Sequence, residues 1–265
     1  MKKMLMTLLS LMLALALPLA AFAQEEVEMD TLLEGLVTEI MEGGFLMEDI
    51  NQGEVMVNTS EETVLDGVLL EEDLTVGMYV MVDFNGMMTR SLPPQVHGDR
   101  VGCYRLDGVI AEVFEDGTFL LTGDAVYDEM LVHPTQEMNL FADLPVTVYY
   151  SGAVAMSLPA QASALHIVVP TLEGSVSERT EEGFTLTNSE GTAYEVKLTE
   201  ETILSLQAEE IEEEAIEAEE AVDEAEEAEV ILELMDGQSV QVIYNGMLSR
   251  SIPAQLTALE IIIQR

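Results

Sequence analysis

One segment occurs three times in this 265-residue chain: FNGMMTRSLPPQ from Phe84, YSGAVAMSLPAQ from Tyr150 and YNGMLSRSIPAQ from Tyr244. Each copy reads aromatic, Asn or Ser, Gly, four variable residues, then Ser-(Leu/Ile)-Pro-(Pro/Ala)-Gln. A second segment precedes each of them: LEGLVTE from Leu33, LDGVIAE from Leu106 and LEGSVSE from Leu172. Two motifs in fixed order, three times over, mean a tandem array of one supersecondary unit, each of about 70 residues. Whatever the fold, it must close within that length.

Each unit carries the same strand pattern. A short strand is expected after the Leu-(Glu/Asp)-Gly: Leu36 to Met41, Val109 to Phe114 and Ser175 to Thr180. An acidic turn with glycine follows, and then a strand headed by Phe45, Phe119 or Phe184. A third strand alternates polar and apolar residues, as at Glu54–Asn58 and Tyr194–Thr199. The fourth alternates best: Met78–Phe84, Pro145–Tyr150 and Ser239–Tyr244. The Asn-Gly or Ser-Gly after it marks a turn. A Pro-containing segment then leads to a fifth strand, such as Ala164–Val169 or Ala258–Ile263. Five short strands with a variable excursion between the third and fourth fit a small barrel, because closure removes exposed edges. The expected fold is all-β, three tandem small five-stranded OB-like barrels, with one acidic helical insert in the third. A three-bladed propeller, or a sandwich spread across the repeats, is the competing architecture.

The Tyr-Asn-Gly-x-x-x-Arg-Ser-x-Pro-Ala-Gln segment resembles one in secreted Gram-positive OB-like small β-barrel repeat domains of unknown function. The resemblance covers the fourth and fifth strands of each unit. The middle copy departs from it, with Ser151 for Asn and Met156 for Arg. It implies a barrel and an extracellular location, and it brings no catalytic residues.

The domain organisation follows. Residues 1–23 read as a signal peptide: Lys2 and Lys3, an apolar run, Pro18, and Ala21-Phe22-Ala23 as a cleavage site. An acidic linker spans 24–32. Barrel repeats span 33–105, 106–170 and 171–265, and the third contains an acidic insert at 207–229. After signal cleavage no stable membrane insertion is expected, since no second apolar run reaches spanning length. Cys103 is the single cysteine, so no internal disulfide is available and the fold must rest on its core. It reads as a small buried hydrophobe, with no hydrolase signature around it.

Charge limits the partners. The chain has 9 Lys+Arg against 51 Asp+Glu, a formal net charge of −42, yet 48% hydrophobic residues. It can bury a core, but it is a poor neutraliser of phosphates, so no nucleic acid is expected as partner. Anionic lipid is excluded by the same reasoning. The insert holds 13 acidic and no basic residues between Glu209 and Glu229. Its Ala and Glu content predicts a helix, marginal at pH 7 because like charges repel at i,i+4. Loose cation binding, Ca²⁺ included, would fall on Glu212, Glu213, Glu217, Glu220, Asp223 and Glu224. A tight Ca²⁺ site needs converging ligands on a turn, so the insert reads first as a solvated excursion. Asp49-Ile-Asn-Gln-Gly-Glu54 is only a faint Ca²⁺-loop match.

Catalytic chemistry is not apparent. His97, His133 and His166 lack metal-ligand spacing, and no nucleophile elbow, phosphate loop or dinucleotide fingerprint occurs. No cofactor is called for. The site-like feature is the repeated segment: Arg90 and Arg250, Asn85 and Asn245, and Gln95, Gln161 and Gln255 as candidate ligand-binding residues. The plainer reading of the two arginines is an ion pair, or backbone hydrogen bonds that fix the Pro-containing loop. The functional expectation is an exported, non-catalytic binding or adhesive module for an extracellular or cell-envelope ligand. The alternatives are an acidic cation-binding structural protein and an accessory domain of a secreted hydrolase system.

Overall fold

The structure, a computed structural model, describes residues 31–136, 138–207 and 233–264. The signal peptide, nearly all of the acidic linker and the insert from residue 208 onward lie outside the described residues. So do all six of its candidate cation ligands.

The described chain is 17 strands and one short 3-10 turn at Val68–Leu70. The first unit contains β1 (Leu32–Met41), β2 (Gly44–Asp49), β3 (Gly53–Asn58), β4 (Val64–Gly67), β5 (Tyr79–Phe84) and β6 (Gln95–Cys103). The second contains β7 (Arg105–Val113), β8 (Phe119–Thr122), β9 (Glu129–Pro134), β10 (Pro145–Tyr150) and β11 (Ala160–Val168). The third contains β12 (Thr171–Ser177), β13 (Gly183–Thr187), β14 (Ala193–Lys197), β15 (Ile203–Leu206), β16 (Ser239–Tyr244) and β17 (Ala254–Ile263).

All three units close in the same way. The second is the ring β10-β11-β9-β8-β7. In the first and third, the pairings β3–β6 and β14–β17 join the ends of the sheet into the same ring. The first three strands form an antiparallel meander and the fourth pairs antiparallel with the first. The fifth runs back between the fourth and the third, and its pairing with the third is parallel. This is the order 1-2-3-5-4 of a five-stranded Greek-key barrel, so the fold is all-β and OB-like. β4 and β15 are sixth strands in the excursion between the third and fourth, lying parallel on the far half of the fifth strand. The second unit has no sixth strand among its described residues.

The first strands begin earlier than expected. Leu-(Glu/Asp)-Gly lies inside β1, β7 and β12 rather than ahead of them. The glycine is required by the neighbouring strand. A Cβ on Gly108 would stand 2.5 Å from the carbonyl oxygen of Thr122, and one on Gly35 or Gly174 would press closer still on Glu48 or Thr187. A glycine within a strand marks such a close backbone approach.

Alternation puts the apolar residues of each strand inside the ring. Phe45, Phe119 and Phe184, at the head of the second strand, are each buried in one of the three cores. They pack with Val80 and Val82, Val146 and Val148, or Val240 and Val242 of the fourth strand. A threonine after the third strand ties each barrel across: Thr63, Thr135 and Thr202 donate their hydroxyls to the carbonyls of Gly98, Ala164 and Ala258 at 2.8–2.9 Å.

The barrels also touch one another. Tyr149 on β10 is buried in the core cluster of the first barrel, and Leu165 packs against it. Ile243 on β16 is buried in the cluster of the second, with Leu259 packed against that. Tyr149 and Ile243 occupy the same repeat position, the residue before the motif aromatic. In the first barrel that position is Asp83, and the position of Leu165 and Leu259 is Asp99; both are exposed. Each outer face that meets a preceding barrel is apolar, and the one with no preceding described barrel is charged. The first junction adds a stacked pair, Tyr79 against His166, with ring centroids 5.5 Å apart. It also holds Arg105, which donates to both carboxylate oxygens of Glu72 at 3.0 and 3.1 Å and to Asp107 at 2.7 Å.

Two outcomes test this description. Gly35→Val should destabilise the first barrel by ~3 kcal/mol or more, read as a lowered urea midpoint, because strand backbone cannot move aside for a side chain. Burial holds the His166 imidazole below its ordinary pKa. The neutral form is therefore favoured in the folded chain, and this contribution is present above pH 6.5 and lost as pH falls through the folded value. Acidification below that range should weaken the tyrosine near-ultraviolet circular dichroism of the first junction in the native protein. His166→Gln should remove that pH dependence.

Candidate functional site

The repeated motif builds the same loop three times. The fourth strand ends on Phe84, Tyr150 or Tyr244, and the chain turns through Gly86, Gly152 or Gly246 at φ of 74 to 82°. The residue before the glycine caps that turn. Asn85 Oδ1 accepts from the Met87 N–H at 2.9 Å and Asn245 Oδ1 from the Met247 N–H at 3.1 Å. Ser151 Oγ takes the place of the amide oxygen in the middle copy, at 3.4 Å from the Ala153 nitrogen. Asn and Ser suit this position because a short side chain can receive a backbone N–H two residues on. The structure thus places Asn85 and Asn245 as caps of the turn.

The far side of the loop carries the Ser-(Leu/Ile)-Pro. Ser91, Ser157 and Ser251 donate their hydroxyls to the carbonyls of Pro93, Pro159 and Pro253 at 2.6–2.7 Å. The peptide bond before each of these prolines is cis. The two arms of the loop are laced by paired backbone bonds: Ala155 N–H to Gln161 O and Gln161 N–H to Ala155 O in the middle copy. In the outer copies the return bond goes to a hydroxyl, with the Gln95 and Gln255 N–H groups donating to Thr89 Oγ1 and Ser249 Oγ.

At the tip stands a large apolar side chain with nothing over it. Leu92, Leu158 and Ile252 are 96%, 100% and 100% exposed. Methionines of the same loops, Met87, Met156 and Met247, are exposed too. These tip residues were not singled out by sequence reasoning. A signal was available: the position is Leu, Leu, Ile across copies, although a loop tip has no core to fill.

The sequence-predicted residues fall around this loop unevenly. Arg90 and Arg250 are exposed, and neither makes an ion pair among the described residues. The loop is fixed by hydroxyls and backbone groups rather than by these guanidiniums, which replaces the plainer reading of them. The arginines that do pair are Arg100, with Asp66 and Asp83, and Arg105. Gln161 Oε1 lies 3.1 Å from His133 Nε2, and the Gln255 amide donates to Glu195 at 2.7 Å. Gln95 begins β6 as an exposed residue. The seven candidates therefore line three separate loops and do not converge on one another.

The other candidates are accounted for locally. Asp49 is buried, and its carboxylate accepts from the backbone N–H groups of Glu34, Asn51 and Gln52 at 2.8–3.0 Å, so it caps a turn. Cys103 is buried in the first core, and burial pushes its thiol up to about 11. Among the described residues no three His, Cys, Asp or Glu side chains group as a metal site. No helix among those residues is long and apolar enough to cross a membrane.

A different kind of site lies between the second and third barrels. A cleft of about 700 Å³ is lined from the second by Asn139 and Ile167 and from the third by Gln241, Ile243 and Glu260. Glu260 is only 3% exposed, and its Oε1 accepts from Asn139 Nδ2 at 2.8 Å and Ser205 Oγ at 2.7 Å.

No protein-family model matches this chain, and no curated protein matches it. Among solved structures it is similar to Drosophila Unr CSD456, at 13% identity and a TM-score of 0.19, covering 81% of this chain and 90% of that one.

The buried thiol gives a direct check on the core. Alkylating reagent at pH 8 should leave Cys103 unlabelled in the native protein and label it fully in urea, as followed by mass spectrometry.

Proposed function

We propose that this chain is an exported, non-catalytic binding or adhesive module, and that its three loop tips are the contacts. The observation carrying this reading is the triple recurrence of a hydrogen-bonded loop with an almost wholly exposed Leu or Ile at its apex. A lone exposed leucine needs no explanation. Three at one repeat position, each on a loop laced at both ends, do, because a loop whose backbone is already fixed loses little entropy when its apex side chain enters a partner's pocket. Linked anchors then multiply weak contacts through effective concentration.

The expected ligand belongs to the extracellular space or cell envelope and offers apolar pockets. The −42 charge disfavours nucleic acid and anionic lipid alike. Repetition also disfavours an enzyme, since three equivalent contacts serve adhesion and a reaction needs one convergent set of groups.

Binding of the fluorescently labelled full chain to isolated cell envelopes tests this. Leu92→Ser, Leu158→Ser and Ile252→Ser should each weaken binding about tenfold, the scale of one buried leucine side chain. The triple variant should reduce it to background. Undiminished binding by the triple variant would overturn the reading, and so would complete loss from one loop alone.

A further inference from the structure

Glu260 is out of place. Its repeat position is Arg100 in the first barrel, exposed and paired with Asp66 and Asp83. In the second it is His166, stacked on Tyr79. In the third it is a carboxylate, nine-tenths buried, at a junction whose apolar contacts are Ile243, Leu259 and Ile262 against the second barrel. A buried charge has to be paired or well supplied with donors. Asp49, also a buried carboxylate of the described chain, meets that need with three backbone N–H groups shared over both oxygens. Glu260 does not: both of its donors are neutral and both go to Oε1.

The second oxygen is the one left without a partner among the described residues. No hydrogen bond reaches Oε2 among the described residues, yet no fully sealed side-chain oxygen lacks a partner. Oε2 is therefore the oxygen still open, and the space beside Glu260 is the cleft that it lines. No Lys or Arg lines that cleft among the described residues. The one imidazole among its described lining residues, His166, is pushed toward the neutral form by burial. Glu173 adds a second carboxylate on the wall, held by the Gln241 amide at 3.1 Å.

From this arrangement we infer that the cleft between the second and third barrels binds an alkylammonium group, with Glu260 as its counter-charge. The walls fit such a ligand. Ile167, Val169 and Ile262 offer apolar surface to a methylene stem, while carboxamides and carboxylates meet the charged head. A bare metal ion fits less well, because the described residues gather no set of three ligands. The volume also lies in the range of small-molecule sites. The net charge of the chain raises the local concentration of any cation. The ammonium could arrive as a free diamine or as the lysine side chain of a peptide.

Calorimetric titration of the full chain with cadaverine, and separately with acetyl-Ala-Lys-Ala-amide, tests the inference. Wild type should take up one ligand per chain. Glu260→Gln keeps the shape and should weaken that binding at least about tenfold, the loss expected when a buried charge partner is removed. Glu61→Gln, on the exposed surface of the first barrel, should leave it unchanged. The probe that binds more tightly identifies the source of the ammonium. Equal affinity in Glu260→Gln, or uptake of several cations with no one-to-one step, would overturn the site. Should Glu260→Gln fail to fold, methyl resonances of wild type decide. Shifts at Ile167, Ile243 and Ile262 on adding cadaverine support the cleft, and shifts confined to other regions refute it. None of these readouts depends on the loop tips.

Discussion

The parallel pairing of the third strand with the fifth is the constraint on which each unit depends. A three-strand meander followed by two more strands leaves two open edges, and a 70-residue unit has too little mass to cover them. Pairing β3 with β6, β9 with β11 and β14 with β17 removes both edges at once. It also fixes everything at the ends of the ring. The excursion between the third and fourth strands must cross one end, which is where Thr63, Thr135 and Thr202 bridge to the fifth strand. The fourth and fifth strands must be joined over the other route, and that connection is the motif loop. The loop is thus an obligate part of closure, and its apex is surplus to the core.

The same closure decides which faces remain for contact between units. The outward side of the fourth and fifth strands is left uncovered, and the second and third barrels use it to sit on the one before. Tyr149 with Leu165, and Ile243 with Leu259, are the apolar pairs that do so. The first junction is reinforced by the Arg105 ion pairs and the His166 stack. The second instead encloses the cleft and its carboxylate.

Much of this was legible in the amino-acid sequence, and the remainder was hidden for physical reasons. The fourth strands were plain because polar and apolar residues alternate over most of their length, and the bounds of β10 and β16 match the expectation residue for residue. The first strands were set too late because glycine ordinarily interrupts a strand, and only the neighbouring backbone reveals why Gly35, Gly108 and Gly174 belong inside one. β4 and β15 are four residues each and pair on one side, so they leave no periodic trace. The candidate site was read from its polar residues, as sites usually are. Asn85 and Asn245 turn out to shape the loop while the apolar apex presents it. Glu260 was lost among many acidic residues, since composition cannot distinguish a solvated carboxylate from a buried one. Aligning the three copies column by column would have exposed it, along with the change from Asp83 to Tyr149 and Ile243.

That column has a further meaning. A contact in which one surface always meets a different surface contains no operation that ends it; such series stop by closing on themselves or by running into a unit that refuses the next. Here the first described barrel carries Asp83 and Asp99 where its successors carry apolar side chains. Two carboxylates leave that face without the apolar pair by which the later barrels are held, a contrast of the kind that polar outer faces make in solenoid proteins.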